Sequence, residues 1–256
     1  MPMAQKHAVV IGGARGIGEA IVRRLASDGY TVTIADRLAA EASSLAESLS
    51  RSGVQAYSAV TDITDSDSLN GLVQSVSARA GKGGLHAAVN CVGIFDERRT
   101  TLKTTAESFK RLLDINVFGA FLFSQAVEPL LGPGASIVHI GSVNGCQAAA
   151  ELGAYKVSKA ALHMLGRCLA HELARDPRRI RVNIVAPGWV DTPGERIVLK
   201  PETGIHPLDD PAAVHFIPMG RRIEAREIAS AVGFLCSDGG SAITGQILYV
   251  DCGTTA

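Results

Sequence analysis

The chain has 256 residues, of which 46% are hydrophobic and 20% charged, a composition typical of a soluble globular protein with a substantial core. Lys and Arg together number 25 and so do Asp and Glu, which leaves a formal net charge of zero. Nucleic-acid-binding proteins usually carry a basic excess, so nucleic acid is not an expected partner. No apolar stretch approaches the ~20 residues of a membrane span, and no signal-peptide core opens the chain. We therefore expect a cytoplasmic protein without a membrane partner.

The five cysteines are scattered, odd in number and never spaced as Cys-x-x-Cys. This pattern predicts free thiols in a reducing cytoplasm rather than a disulfide framework or a catalytic thiol. The seven histidines show no metal-ligand spacing either, so we expect no metal site.

Short apolar runs alternate with longer periodic stretches along the whole chain. The runs predict strands at 7–11, 31–35, 54–60, 86–90, 135–141, 180–186 and 246–250. The periodic stretches predict helices near 17–28, 38–51, 66–80, 105–131, 152–175 and 225–236. This alternation indicates βαβ units, so we predict an α/β fold: a Rossmann-type, doubly wound, seven-stranded parallel sheet with helices on both faces. Its ligand crevice should lie at the carboxyl ends of the strands.

No shift in composition marks a second domain, so 1–256 is predicted to be a single dinucleotide-binding and catalytic domain. One segment breaks the pattern, since five of the ten prolines lie between Pro193 and Pro218. A long irregular segment within a compact domain is usually a functional loop. Because 193–218 follows a strand end, we predict a loop that covers the substrate; the alternative is a surface excursion without function.

A glycine-rich turn follows the first predicted strand and opens the first predicted helix, with Gly12, Gly16 and Gly18 spaced Gly-x-x-x-Gly-x-Gly. Glycine permits the tight turn and lets backbone N–H groups approach a pyrophosphate at the positive end of the helix. Such a turn alone is a weak signal, but its strand–turn–helix context favours dinucleotide binding.

An acidic residue, Asp36, ends the second predicted strand, 18 residues after Gly18. A carboxylate at this distance accepts hydrogen bonds from the adenosine ribose and repels a 2′-phosphate. Arg37 follows directly and could serve that phosphate. Asp36 therefore favours NAD over NADP without excluding NADP.

Tyr155 and Lys159 stand four residues apart on one face of a predicted helix, and Ser142 lies 13 residues upstream of Tyr155. A free tyrosine has a pKa near ~10 and is a poor base at neutral pH. A neighbouring ammonium favours the phenolate, so we expect Lys159 to bring the pKa of Tyr155 toward the working pH. Together with the glycine-rich turn, these residues predict nicotinamide-dependent chemistry on an alcohol or carbonyl.

These motifs resemble the short-chain dehydrogenase/reductase family, specifically its single-domain branch of roughly 250 residues, and the resemblance extends over essentially the whole chain. Residues 12–18 resemble its cofactor loop, and Asn90-Cys91-Val92-Gly93 stands where the family has Asn-Asn-Ala-Gly. Residues 187–192 resemble the element after its sixth strand. The resemblance implies a cofactor site formed by Gly12, Arg15, Gly16, Ile17, Gly18, Asp36, Arg37, Asp62, Ile63, Asn90, Gly93, Tyr155, Lys159, Val190 and Thr192.

The resemblance also implies four catalytic residues. Tyr155 would exchange the proton with the substrate, and Ser142 would hydrogen-bond the substrate oxygen. Lys159 would lower the pKa of Tyr155 and hold the nicotinamide ribose. Asn116 would order a water that links Lys159 to solvent. These roles predict an NAD-dependent oxidoreductase acting on a secondary alcohol or ketone.

The predicted pocket walls are mostly apolar, which favours a cyclic or medium-sized apolar substrate; they are Ile94, Phe95, Asn144, Gln147, Ala148 and Trp189. A 3-oxoacyl-carrier reductase using NADPH is the main alternative, although Asp36 and a 129–134 connection without Arg or Lys disfavour it. A non-catalytic NAD-binding sensor is a further alternative that the intact catalytic residues disfavour. The resemblance also implies a homotetramer, whose contacts would include an apolar stripe on the predicted 152–175 helix.

Overall fold

The computed structural model describes residues 6–96, 98–198, 206 and 209–256. Seven parallel strands form one sheet in the order β3-β2-β1-β4-β5-β6-β7. The strands are β1 (His7–Ile11), β2 (Thr31–Asp36), β3 (Ala56–Val60), β4 (Leu85–Asn90), β5 (Leu131–Ile140), β6 (Arg181–Pro187) and β7 (Ile247–Val250). The predicted Rossmann-like parallel sheet is therefore confirmed.

Eight α-helices accompany the sheet in the described part of the chain. They are α1 (Gly16–Ser27), α2 (Ala39–Arg51), α3 (Ser66–Ala80), α4 (Ala106–Leu113), α5 (Gly119–Val127), α6 (Gly153–Leu173), α7 (Pro193–Val198) and α8 (Ala225–Cys236). None of the described helices is both long and apolar enough to cross a membrane.

Strands β1 and β6 are buried on both faces, which explains why most of their residues are apolar. All residues of β1 and of β6 are buried, as expected for a parallel sheet covered by helices on each side. One core cluster joins Ile21 and Leu25 of α1 to Ile228 of α8. The cluster on the opposite face joins Leu72 of α3 to Phe123 of α5.

The direction of the strand order reverses beside β1, which lies between β2 and β4. The connections from β1 and from β4 therefore diverge, and this divergence opens a crevice at the carboxyl ends of the strands. Strands β1 and β4 stay paired to their carboxyl ends, where Cys91 N donates to Ile11 O at 2.8 Å. The fold thus places the glycine-rich turn and the segment after β4 side by side.

The single helix predicted over 105–131 is wrong, because the structure divides this stretch into four pieces. Helix α4 passes into a π-helical turn (Asp114–Phe118), then into α5, and a 3₁₀ turn (Glu128–Leu130) follows. Pro129 lies in the 3₁₀ turn and offers no backbone N–H for an α-helix to continue. Strand β5 then begins at Leu131, four residues earlier than the predicted strand, which started at residue 135.

A short helix also lies within the segment predicted to be irregular. Helix α7 covers six residues, too few for a helical period to be recognised from the sequence. The hydroxyl of Thr192 caps its start by accepting from Glu195 N at 3.2 Å. Residues 199–205, 207 and 208 of the predicted covering loop lie outside the described residues.

Candidate active site

A cleft of about 880 Å³ runs along the carboxyl ends of the strands. The glycine-rich turn and Asp36 line one part of it, and Ser142 and Tyr155 line another. Most of the predicted site residues lie in its wall, namely Gly12, Arg15, Gly16, Ile17, Gly18, Asp36, Arg37, Asp62, Ile63, Gly93, Ser142, Tyr155, Lys159, Val190 and Thr192. The sequence therefore identified residues that the fold brings to one cavity.

The glycine-rich turn adopts backbone conformations that need glycine. Gly12 and Gly16 have φ angles of +76° and +59°, where other residues are strained. A Cβ built on Gly18 would lie 1.9 Å from the carbonyl oxygen of Gly12, so strand and helix approach as closely as backbone allows. Helix α1 starts at Gly16, and the N–H groups of its first turn lack partners within the helix. This arrangement fits the pyrophosphate of a dinucleotide.

The Asp36 carboxylate accepts hydrogen bonds from two loops, the glycine-rich turn and the segment after β2. Oδ2 accepts from Ala14 N at 3.0 Å, and Oδ1 accepts from Leu38 N at 3.1 Å. Each oxygen retains a lone pair, so the carboxylate can still accept from ribose hydroxyl groups. The geometry fits the predicted contact with the adenosine ribose.

Arg37 faces another predicted cofactor residue, because its Nη1 lies 3.7 Å from Asp62 Oδ2. The Arg37 side chain is 69% exposed, so the pair is readily exchanged for contacts with a ligand. Hydrogen bonds from Thr64, chiefly from its hydroxyl, hold the pKa of Asp62 below its usual value, with a smaller contribution from Arg37. Asp62 therefore stays ionised in the wall of the cleft.

Tyr155 and Lys159 project from α6 toward the end of β5. Lys159 Nζ donates to the carbonyl oxygen of Ile140 at 3.0 Å and lies 5.8 Å from the centre of the Tyr155 ring. Phe95 packs edge-on against that ring, with centroids 6.0 Å apart. The Ser142 hydroxyl, two residues beyond Ile140, accepts from Asn144 N at 3.1 Å. The predicted trio is thus assembled where β5 meets α6.

Burial is the main cause of the pKa shifts of Tyr155 and Lys159. It raises the pKa of Tyr155 to about 12, and the hydrogen bond with Ser142 opposes the rise only in part. Burial also lowers the pKa of Lys159 to about 8. The expected lowering of the Tyr155 pKa by Lys159 is not found in the chain by itself, because burial of the phenol raises that pKa.

Asn116 lies in the π-helical turn and is fully buried. Its Nδ2 donates to Ile94 O at 2.8 Å and to Ser158 Oγ at 2.9 Å, while its Oδ1 accepts from Ile94 N at 2.8 Å. Asn90 is also buried, and its Oδ1 accepts from Val92 N at 3.0 Å. Both predicted asparagines therefore act on the backbone of the segment after β4 and not on the surface of the cleft.

Five of the six predicted wall residues do line the cleft: Ile94, Phe95, Asn144, Gln147 and Trp189. Ala148 does not, whereas the next two residues, Ala149 and Ala150, do. The prediction could not resolve which alanines of 148–150 face inward, since this loop has no periodic pattern.

Four charged residues of the wall were not predicted. Arg98 pairs with Glu151 at 3.8 Å, and Lys156 Nζ hydrogen-bonds Asn144 Oδ1. Glu195 of α7 accepts from the indole N–H of Trp189 at 3.2 Å, and burial raises its pKa. Only Lys156 had a signal in the sequence, since it adjoins Tyr155; the others come from loops and a short helix.

Hydrogen bonds and an aromatic contact hold the described part of the 193–218 segment beside the cleft. Arg196 bonds Asp191 at 2.7 Å and Asp209 at 3.0 Å. Phe216 lines the cleft and stacks on Trp189 with ring centroids 5.7 Å apart. Among the described residues, no group of His, Cys, Asp and Glu is arranged to hold a metal ion.

The chain is similar over nearly its whole length to known proteins. A family profile described as enoyl-(acyl carrier protein) reductase matches residues 12–255. A tropinone reductase homolog of Arabidopsis thaliana is 37% identical over 96% of this chain and 74% of its own. Carbonyl reductase family member 4 of Danio rerio is 36% identical over 96% of each chain. A short-chain dehydrogenase from Burkholderia cenocepacia, solved in complex with NADP, is 32% identical over 99% of each chain, with a TM-score of 0.86.

The fold and the cleft define a nicotinamide-cofactor oxidoreductase. The chain belongs to the short-chain dehydrogenase/reductase family, which confirms the resemblance found in the sequence.

The close approach at Gly18 provides a test of the cofactor loop. Gly18→Ala should raise the dissociation constant for NADH at least about tenfold, which is about 1.4 kcal/mol, because its Cβ would force the turn away from Gly12. Fluorescence titration with NADH measures the effect. Gly71→Ala is the control, since a Cβ there meets nothing within 4 Å and alanine favours a helix by roughly 0.5–1 kcal/mol. Unchanged NADH affinity in Gly18→Ala would remove this loop from the cofactor site.

Proposed function

We propose that this protein is an NAD-dependent oxidoreductase that transfers hydride between nicotinamide and a secondary alcohol or ketone. The observation that carries the proposal is the convergence of Ser142, Tyr155 and Lys159 on the same cleft that the glycine-rich turn lines. One part of the cleft fits a dinucleotide pyrophosphate, and another offers a proton donor beside a buried cation. The reducing compartment that the five free cysteines suggest suits a cytoplasmic enzyme.

A bound nicotinamide would supply or accept the hydride at the substrate carbon. The Tyr155 hydroxyl gives its proton to the carbonyl oxygen in reduction and takes it back in oxidation. The Ser142 hydroxyl hydrogen-bonds the same oxygen and stabilises the charge that develops there. Lys159 keeps a positive charge next to the phenol and is placed to bind ribose hydroxyls. One lone pair of Asn116 Oδ1 remains for a water in the predicted relay to Lys159.

The high pKa of Tyr155 has a consequence for direction. At neutral pH the phenol is protonated, so it is ready to donate to a ketone and must first lose its proton to accept one from an alcohol. Ketone reduction is therefore the direction favoured at neutral pH, and alcohol oxidation gains as pH rises.

The walls of the cleft support an apolar substrate of moderate size. Ile94, Phe95, Leu152, Trp189 and Phe216 provide the apolar lining, which suits a cyclic or medium-sized ketone. Phe216 belongs to 193–218, so we retain this segment as the loop that covers the substrate within a single catalytic domain of residues 1–256.

The main alternative is a 3-oxoacyl-carrier reductase using NADPH. The description of the family profile concerns an acyl carrier substrate. Arg98 and Lys156 give the cleft two cations in addition to Arg15, Arg37 and Lys159. Those two cations are balanced by Glu151 and Glu195, which an acidic carrier would meet as well. A non-catalytic NAD-binding sensor is a weaker alternative, since it would not need the assembled trio. Assays with a β-ketoacyl thioester and a cyclic ketone separate these functions.

Tyr155→Phe tests the proton donor. It should lower kcat roughly 10²–10⁴-fold, the usual contribution of general acid–base catalysis, while NADH binding is retained because the ring persists. Tyr57→Phe is the matched control, since Tyr57 lies on β3 and not in the wall of the cleft. In the wild type, alcohol oxidation should keep rising with pH toward the Tyr155 pKa of about 12, because the phenolate fraction grows over that whole range. Turnover of Tyr155→Phe within about threefold of wild type would contradict the assignment.

Asp36→Asn tests cofactor choice by removing the negative charge; its amide oxygen can still accept from one of the two loop N–H groups, Ala14 N or Leu38 N. The wild type should prefer NAD, because the carboxylate accepts from the ribose and repels a 2′-phosphate. The substitution should narrow the NAD/NADP ratio of kcat/KM by about tenfold or more, which is about 1.4 kcal/mol. Asp67→Asn, on the exposed start of α3, is the control. A wild type that prefers NADP, the cofactor of the Burkholderia relative, would overturn the assignment.

We also propose a homotetramer. The predicted stripe on α6 contains Val157 and Met164, which are 47% and 57% exposed. Phe118 of the π-helical turn and Phe121 of α5 add a stacked exposed pair. Apolar surface of this kind marks an interface, and closed symmetric assemblies are the common outcome. Light scattering at micromolar concentration should give four chains, and Met164→Arg should lower that number. A monomeric wild type would contradict the proposal.

A further inference from the structure

We propose that His163 is a positioning residue for the active site: its imidazole fixes the backbone of Ser142 relative to Tyr155 and Lys159. The proposal rests on the proposed function, in which Ser142 and Tyr155 bind the same substrate oxygen. It assigns a task to a buried histidine that does not line the cleft.

His163 continues the catalytic face of α6. Tyr155, Lys159 and His163 follow one another at intervals of four residues, so their side chains lie on one side of the helix. Lys159 and His163 are each 4% exposed. Both side chains therefore pack between the helix and the end of β5.

The two side chains hold the β5 terminus at adjacent points. Lys159 Nζ donates to Ile140 O at 3.0 Å, and His163 Nε2 accepts from Ser142 N at 3.4 Å. The last backbone hydrogen bond from this strand to β6 lies one residue before Ser142, where Gly141 N donates to Val185 O at 2.7 Å. His163 thus supplies the acceptor for the first backbone N–H that strand β6 does not reach.

The loop also encloses the imidazole ring. A Cβ built on Gly141 would lie 2.4 Å from His163 Nε2, and one built on Gly145 would lie 2.4 Å from Cε1. Only glycine allows the backbone to come so close on both sides of Ser142. The backbone from Gly141 to Gly145 therefore packs directly around the His163 ring.

The direction of the Ser142 hydroxyl depends on this backbone. Its oxygen accepts from Asn144 N at 3.1 Å, and the Ser142 carbonyl accepts from Gly145 N at 2.9 Å. These bonds are internal to the turn and move with it. The bond to His163 ties the Ser142 backbone to α6, and the bond from Lys156 to Asn144 Oδ1 ties the next part of the turn to the same helix. Because Tyr155 is on α6, His163 sets the relation between the two groups that bind the substrate oxygen.

The acceptor role requires a neutral ring with its proton on Nδ1. Burial is the main reason that the pKa of His163 is lowered to about 4, and the nearby Lys159 ammonium adds to the effect. At neutral pH the ring is therefore uncharged, and Nε2 is free to accept.

Two substitutions separate the acceptor from the volume of the ring. His163→Phe keeps a flat ring without an acceptor, and it should lower kcat for ketone reduction about 10²-fold, the usual effect of a small misplacement of catalytic groups. The Kd for NADH should stay within about twofold of wild type, because the glycine-rich turn and Asp36 are elsewhere in the cleft. His163→Gln can accept through its amide oxygen and should recover most of the lost kcat. His7→Phe is the control, since His7 is 2% exposed and bonds Thr33 at 2.9 Å at the start of β1.

The outcomes are distinguishable. A kcat of His163→Phe within about threefold of wild type, or equal losses in the Phe and Gln variants, would overturn the proposal. If His163→Phe does not fold, Gly145→Ala displaces the loop from the opposite side of the ring and should give the same selective loss of kcat. Nitrogen chemical shifts of wild-type His163 provide a test without turnover, and a proton on Nε2 would also overturn it. Failure of the proposed function is separate, since it would appear as undiminished turnover in Tyr155→Phe.

Discussion

The hydrogen bond from Lys159 Nζ to the carbonyl oxygen of Ile140, at 3.0 Å, joins the catalytic helix to the sheet. A lysine that is 4% exposed loses most of its hydration, so it can remain charged only with such partners. The charge of Lys159 then affects the pKa values of the histidines buried near it. The ammonium contributes to lowering the pKa of both His139 and His163 to about 4. One buried cation is tolerated here, and the surrounding imidazoles stay neutral and serve as hydrogen-bonding groups.

Much of the architecture follows from local pattern. The buried strands are rich in apolar residues, and each of the seven observed strands overlaps one of the predicted apolar runs. The glycine-rich turn was recognisable because a strand precedes it and a helix follows it. The i, i+4 spacing of Tyr155 and Lys159 required only a helix to put both on one side. These inferences need no knowledge of distant contacts, and for this reason they succeed.

The remaining features depend on contacts between distant parts of the chain. The π-helical turn at Asp114–Phe118 accompanies two hydrogen bonds between the Asn116 side chain and the backbone of Ile94, 22 residues away. The pKa of Tyr155 rises because of burial, which spacing does not reveal. Arg98 and Glu195 reach the cleft from a loop and a six-residue helix, and neither has a periodic pattern. His163 has the correct helical spacing, but its partner, Ser142, becomes apparent only when β5 and α6 are packed together.

The π-helical turn also has a genetic consequence. A π-turn contains one residue more than the α-helical path between the same points, so the stretch from α4 to α5 holds an insertion relative to a continuous helix. Loss of a single codon within Asp114–Phe118 would leave a regular α-helix in the reading frame. The flanking parts of α4 and α5 would keep their relative orientation, but residues within the turn would each shift by one position, a rotation of about 100° around the helix axis. Asn116, or the residue that replaced it, would turn away from Ile94, and the segment after β4 would lose the side chain that holds it. A one-residue deletion in this helix should therefore be far less tolerated than one in an exposed loop.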